Sequence, residues 1–182
     1  MSVIKSITDL FKSKPLVDIT VAGISHTRTG IKRFVPSLMD VYLHFDERLL
    51  LRCSSIEQYS RLRIALTEEI EEERDIPSDS EFCTCSLSKV LLKYPDEARY
   101  ITSLKMVSNN RDELEDGVVA CAGFDIQGEG FLFMDPMTLI GIQLGGSQRY
   151  NEWLEEFKGR WEQMAEYVWR WSSDEIEMTR MI

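Results

Sequence analysis

The stretch from 117 to 146 constrains the fold more than any other, because it is densely apolar and is interrupted at short intervals by turn residues. Two apolar segments, 118–126 and 131–134, are separated by Gly128-Glu129-Gly130, and this pattern predicts a β-hairpin with a glycine turn. A further strand is predicted at Leu139–Leu144. These segments are apolar at both odd and even positions, which is typical of central strands that are covered on both faces. We therefore expect a sheet with protein packed on either side of it.

Residues before this stretch supply further strands through alternation and β-branched composition. The clearest pair is 41–45 and 49–53, which we expect to form a hairpin around an Asp-Glu turn. Segment 60–67 alternates basic with apolar residues and predicts a strand with one wet, basic face; helix is the alternative, because strong helix formers follow it. Other elements are predicted as strands at 16–22, 82–92 and 99–107 and as a long loop or irregular hairpin at 23–36.

Helical periodicity occurs near both ends of the chain. Apolar residues in Ser2–Ser13 recur at helical spacing, and Pro15 ends this short predicted helix. A much longer helix is predicted at Gln148–Trp171, where an aromatic stripe that includes Tyr150 and Trp153 would run roughly 36 Å along one face. This long helix could cross a small sheet.

Length and composition agree with one folded domain over residues 1–182. The hydrophobic fraction of 43% and the charged fraction of 29% are ordinary for a globular protein. The predicted fold is α+β: a mainly antiparallel sheet of about six to eight strands, with a long C-terminal helix packed across it and a short N-terminal helix beside it. The acidic end of the chain, 172–182, is expected to be a frayed tail.

Signals for a membrane or an oxidising compartment are weak. The first apolar segment is interrupted by Lys5, Asp9 and Lys12, so it does not match a signal peptide, and no apolar run approaches the roughly 20 residues that span a bilayer. We expect a cytoplasmic protein whose cysteines are reduced, with Cys53 and Cys121 buried. The cysteines and the two histidines lack the spacing of a zinc site, so neither a metal nor another cofactor is predicted.

Catalytic patterns are also weak. Asp125, Glu129 and Asp135 cluster around the central hairpin, and paired carboxylates can hold Mg²⁺ or divide acid and base roles. Glu129 and Asp135 also occupy predicted turns, where such residues are common for structural reasons. His26 lies in a polar segment without a nucleophile motif beside it. One hypothesis is a small enzyme or ligand-binding domain with a carboxylate site around Asp125 and Asp135, supported by His26.

Charge is distributed unevenly along the chain. Residues 1–66 contain ten Lys or Arg and six Asp or Glu, a balance of +4, whereas residues 67–182 contain eleven and twenty-five, a balance of −14. Runs of acidic residues in a sequence are commonly solvated faces or mobile loops, but they can also form docking surfaces if their segments converge. We predict that partner binding uses two acidic runs: Glu68, Glu69, Glu71, Glu72, Glu73, Asp75 and Asp79, and then Asp112, Glu113, Glu115 and Asp116.

The sequence therefore favours a non-enzymatic acidic binding protein. A strongly acidic surface repels nucleic acid and anionic lipid, so we expect neither of them as a partner and expect a basic protein instead. Immunity proteins of bacterial toxin–immunity pairs have this overall character, and the acidic surface would act by occluding the active site of a basic toxin. We expect a monomer or a small homo-oligomer. A third hypothesis, besides the carboxylate site, is an assembly subunit of a phage or secretion machine.

Overall fold

Two antiparallel sheets and four short helices make up the computed structural model, which describes residues 2–46, 48–58, 60–72, 76–158, 164–170 and 176–180. Sheet 1 consists of β1 (Asp18–Arg28), β2 (Ile31–Asp46), β3 (Leu49–Ile56), β4 (Arg61–Thr67), β5 (Ser80–Ser86) and β7 (Val118–Val119). Sheet 2 consists of β6 (Ile101–Ser108), β8 (Cys121–Ile126), β9 (Gly130–Asp135), β10 (Gln143–Gly145), β11 (Ala165–Arg170) and β12 (Ile176–Arg180). The helices are α1 (Val3–Ser13), α2 (Ser88–Leu91), α3 (Arg111–Glu115) and α4 (Ser147–Phe157).

Most strands that follow each other in the chain are also neighbours in a sheet. The order in sheet 1 is β5-β1-β2-β3-β4-β7, and the order in sheet 2 is β10-β9-β8-β6-β11-β12. All neighbours within each sheet pair antiparallel. The predicted antiparallel character is confirmed, and so is the hairpin of β2 and β3.

One apolar core lies between the two sheets and includes α1. The ring of Phe11 on α1 lies 5.4 Å from that of Phe45 in sheet 1 and 6.0 Å from that of Phe124 in sheet 2, measured between ring centroids. All three rings are buried, so the helix joins the inner faces of both sheets. The predicted N-terminal helix is confirmed; it stops before Pro15, because the residue preceding a proline disfavours helical backbone.

The outer faces of the sheets are covered differently. On sheet 2, α4 lays Tyr150 and Trp153 over the strands, and the Trp153 ring packs against Phe133 with its edge and against Phe157 with its face. On sheet 1 the apolar outer surface is small, and the residues after β4 pass over it. No helix in the described part of the chain is both long enough and apolar enough to cross a membrane.

The predicted long C-terminal helix is wrong. Helix α4 ends at Phe157 after 11 residues, and the last part of the predicted stripe forms β11 between β6 and β12. Gly159 is a poor helix former, whereas Tyr167, Val168 and Trp169 are residue types that favour strands. Because β11 can pair along both of its edges, sheet formation outweighs the helical periodicity of its apolar residues.

Two further expectations need correction. The apolar and alternating segments build two six-stranded sheets that share a core, where a single sheet of about six to eight strands was predicted. Part of the tail that was expected to fray, Ile176–Arg180, forms β12 at the edge of sheet 2.

Candidate partner-binding surface

Residues 68–72, here called the acidic strap, leave the end of β4 and lie over the outer face of sheet 1. The strap has the sequence Glu-Glu-Ile-Glu-Glu, and its only apolar residue, Ile70, packs on the cluster formed by Ala22, Tyr42 and Leu50. At the start of the strap the hydroxyl of Thr67 donates to the carbonyl of Glu69 at 3.1 Å. The strap is therefore held against the sheet by an apolar contact in its middle.

An arginine of β3 adds a second attachment. The Arg52 guanidinium donates to both carboxylate oxygens of Asp40, at 2.8 and 3.1 Å, and its remaining terminal nitrogen lies 2.5 Å from a carboxylate oxygen of Glu71 on the strap. The hydrogen bonds to Asp40 are the main reason that the pKa of Arg52 is raised. Burial raises the pKa of the neighbouring Tyr42, so this phenol stays neutral beneath the ion pairs. Two carboxylates share one guanidinium here, and the cluster keeps a negative charge.

The other strap carboxylates face solvent. Glu68, Glu69 and Glu72 are exposed, and none of them has a cationic partner among the residues that the structure describes. Two residues of the same predicted run, Glu73 and Asp75, lie outside the described residues. The attached strap thus presents three uncompensated carboxylates at fixed places on the sheet, which reduces the entropy that a partner must overcome on binding.

The second acidic run forms α3 and its C-terminal cap. The Asn110 side chain accepts hydrogen bonds from the backbone N–H groups of Asp112 and Glu113, at 2.9 and 3.4 Å, and caps the helix. Carboxylates in the first turn of a helix also interact favourably with its dipole. Asp112 and Glu113 in the first turn therefore have a structural role, while Asp112, Glu115 and Asp116 are exposed.

Both runs are connected to the same face of sheet 1. Arg61 on β4 forms an ion pair with Glu113 of α3, as Arg52 does with Glu71 of the strap. Arg52 pairs with Ala65 across the strands, and alternation along β4 places Arg61 on the same side as Ala65. The separation of four positions between Arg61 and Ala65 corresponds to roughly 13 Å along the strand. The two arginines that bind the strap and α3 thus lie on one side of sheet 1.

Asp79 lies elsewhere, in the turn before β5. It lines a polar cavity of about 270 Å³ together with Ser25, Thr27 and Ser80. An exposed ion pair between Lys32 and Glu81, with 2.9 Å between nitrogen and oxygen, closes one side of this cavity. Asp79 therefore adds to the acidity of the sheet edge at β5.

The carboxylates around the central hairpin are each engaged by their own structural partners. Asp125 accepts from the hydroxyl of Ser103, and Asp135 is buried with Arg149 at 2.8 Å. Glu129 accepts from two backbone N–H groups, those of Lys93 and Tyr94, at 2.5 and 3.1 Å. No three His, Cys, Asp or Glu side chains come together as metal ligands within the described ranges.

The histidines and cysteines also lie apart. The imidazole of His44 on β2 is within 2.7 Å of the Thr20 hydroxyl, and burial lowers its pKa. Cys53 and Cys121 are buried as predicted, and burial raises the pKa of both thiols, so neither is a reactive thiolate. His26 lies on β1, and segment 23–36 belongs to the β1–β2 hairpin, whose register shifts between Val21 and Gly23. Of the two predictions for this segment, the irregular hairpin is therefore confirmed.

Two residues that organise the surface were not foreseen from the sequence. Arg52 alternates within a strand like any exposed residue and gives no signal of its own. Ile70 does give a signal: a single large apolar residue inside a run of carboxylates indicates that the run rests on a surface. Comparisons of this chain with models of known protein families, with curated proteins and with solved structures found no match.

Proposed function

We propose that this chain is a non-enzymatic binding protein whose acidic surface on sheet 1 docks a basic protein and occludes its active site, as an immunity protein does with a toxin. The observation that carries the proposal is the attached strap, which holds Glu68, Glu69 and Glu72 exposed and without cationic partners among the described residues. A loose acidic loop would need no apolar anchor and no half-buried arginine. The anchors support a surface that is built to present charge.

The electrostatics of the surface support an oriented encounter. Glu71 and Glu113 form ion pairs with arginines, whereas the exposed carboxylates of the strap have no cationic partner among the described residues. A field of one sign steers an oppositely charged partner and raises the association rate by about 10- to 1000-fold, and salt screens this effect. We therefore expect fast, salt-sensitive association with a partner protein whose cleft is rich in Lys and Arg.

The test begins with the proteins that co-purify with the tagged full-length chain from its native cell, including the product of the neighbouring gene. The association rate of the purified pair is then measured by stopped flow over a range of salt concentrations. We expect the triple variant E68K/E69K/E72K to associate about 10- to 100-fold more slowly at low salt and to lose most of the salt dependence.

The matched control reverses three other exposed carboxylates, with the variant D9K/D96K/E155K. It changes the net charge of the chain equally but leaves sheet 1 intact, so a much smaller loss of rate is expected. Equal losses for both variants would show that net charge alone drives association. Unchanged rates for the strap variant would contradict the proposal.

A further inference from the structure

The loop between β9 and β10 exposes two large aliphatic side chains at its tip. Leu139 is 89% exposed and Ile140 is 77% exposed. They were predicted to begin a strand, but β10 starts only at Gln143. Tips of tight turns usually carry Gly, Asn, Asp, Ser or Pro, and two adjacent aliphatic residues there have no local structural reason.

The turn that carries these residues is rigid. The backbone N–H of Gly141 donates to the carbonyl of Thr138 at 3.1 Å, and the Thr138 hydroxyl donates back to the carbonyl of Gly141. Gly141 has a φ of +108°, and a Cβ at this position would collide with the backbone carbonyl of Leu38. The side chains of Leu139 and Ile140 take no part in these bonds, so the tip is held in place by its backbone.

The loop is also attached to sheet 1. The N–H of Ile142 donates to the carbonyl of Leu38 on β2 at 2.6 Å, and the hydroxyl of Ser55 on β3 donates to the carbonyl of Pro136 at 3.1 Å. Asp40, which binds Arg52, lies two residues after Leu38, or about 7 Å along the strand. Both attachment points face the core between the sheets, since Leu38 packs on that core and alternation along β3 places Ser55 on its inner side. They lie within two residues of Asp40 and its cross-strand partner, so the tip is attached close to the Asp40 end of the outer face.

We propose that Leu139 and Ile140 are the apolar anchor of the partner interface, and that they insert into an apolar pocket whose rim carries Lys and Arg. This inference rests on the function proposed above. Protein interfaces commonly place an apolar centre inside a charged rim, and a few central residues contribute most of the affinity. Charge complementarity selects the occupant: carboxylates beside the tip repel anionic lipid, and a second copy of this chain would bring two acidic faces together.

The first measurement is photo-crosslinking in the native cell. The photoreactive residue p-benzoylphenylalanine is placed at position 139 of the full chain, and a control chain carries it at position 90, since Val90 on α2 is also strongly exposed, at 82%. The crosslinked protein is identified by mass spectrometry. We expect position 139 to capture a basic protein and position 90 to leave it free.

The second measurement gives the dissociation constant of the purified pair for four proteins: wild type, L139S/I140S, V90S and E68K/E69K/E72K. Loss of two central anchors is expected to weaken binding by about 100-fold, whereas V90S binds as the wild type does. Thermal melting of L139S/I140S is expected to match the wild type, because the substituted side chains are exposed. A loss of binding by a folded variant therefore reports the contact itself.

The remaining outcomes separate the two proposals. If E68K/E69K/E72K weakens binding and L139S/I140S does not, the acidic surface is the docking site and the anchor proposal is overturned. The proposed partner, a basic protein, is wrong if position 139 crosslinks only to another copy of this chain. It is also wrong if L139S/I140S abolishes sedimentation with phosphatidylglycerol vesicles. If neither variant changes binding to the captured protein, both proposals fail.

Discussion

The outer faces of the two sheets are covered in different ways, and the difference separates stability from recognition. Sheet 2 is covered by α4, whose Trp153 is fully buried within an aromatic cluster. Sheet 1 is crossed by a five-residue strap with one apolar anchor, Ile70. Because buried apolar area is the main stabilising contribution, the helix belongs to the folded core, while we expect substitutions in the strap to leave the protein folded. The exposed carboxylates of the strap are thus carried where we expect the fold to depend on them least.

The largest expected effect tests this contrast directly. Trp153→Ala removes a fully buried side chain and is expected to lower the free energy of unfolding by about 3–5 kcal/mol, whereas Ile70→Ala, at a partly buried position, should lower it by about 1 kcal/mol. Urea denaturation of both variants measures the two losses. Comparable losses would show that the strap is as much a part of the core as α4 is.

A smaller effect concerns pH, because both histidines of the chain lie on sheet 1. Burial is the main cause that lowers the pKa of His44 in the folded protein, and the nearby Asp18 opposes it in part. The unfolded chain therefore takes up a proton first, so stability is complete above about pH 6.5 and is lost as the pH falls toward the folded pKa.

The pH effect is measured as the free energy of unfolding at about pH 7.5 and at about pH 5.5, on either side of the ordinary histidine pKa. We expect His44→Gln to lose less stability than the wild type between these two values. His26→Gln serves as the control and should keep the pH dependence of the wild type. If His26→Gln removes the dependence and His44→Gln does not, the assignment to His44 is incorrect.

The smallest expected effect is on the strap carboxylates. E68Q/E69Q/E72Q should change the free energy of unfolding by no more than about 0.5 kcal/mol, because these side chains are exposed and have no cationic partner among the described residues. Urea denaturation gives this value, and the association rate of the same variant gives its effect on recognition. A large loss of stability would make the carboxylates part of the fold and weaken the contrast between the two faces.

Sequence patterns predicted the elements whose burial alternates. Val41, Leu43 and Phe45 point into the core from β2, and the strand alternative for 60–67 is confirmed by β4. Prediction from apolar periodicity failed where a helical pattern and a strand pattern overlap. Apolar residues from Tyr150 onward fit one helix, yet the later ones, such as Val168, belong to a strand whose partners lie far away in the chain.

Only the charges of the candidate surface could be predicted from the sequence. The acidic runs are visible in the sequence, but their attachment through Arg52 and Arg61 depends on which strands are neighbours, and this information is not local. Leu139 and Ile140 were missed for another reason. Apolar residues in a strand-like pattern predict burial, and a protein that uses such residues for binding breaks that rule at the binding site.

The turn from Thr138 to Gly141 has a consequence for how this protein can diversify. Its conformation depends on backbone hydrogen bonds and on the glycine that meets Leu38, so the two side chains at its tip are independent of folding. Substitutions at positions 139 and 140 can therefore change which partner is recognised while the scaffold stays the same. A set of chains that differ only at these two positions would share one structure and could be sorted by the proteins they bind.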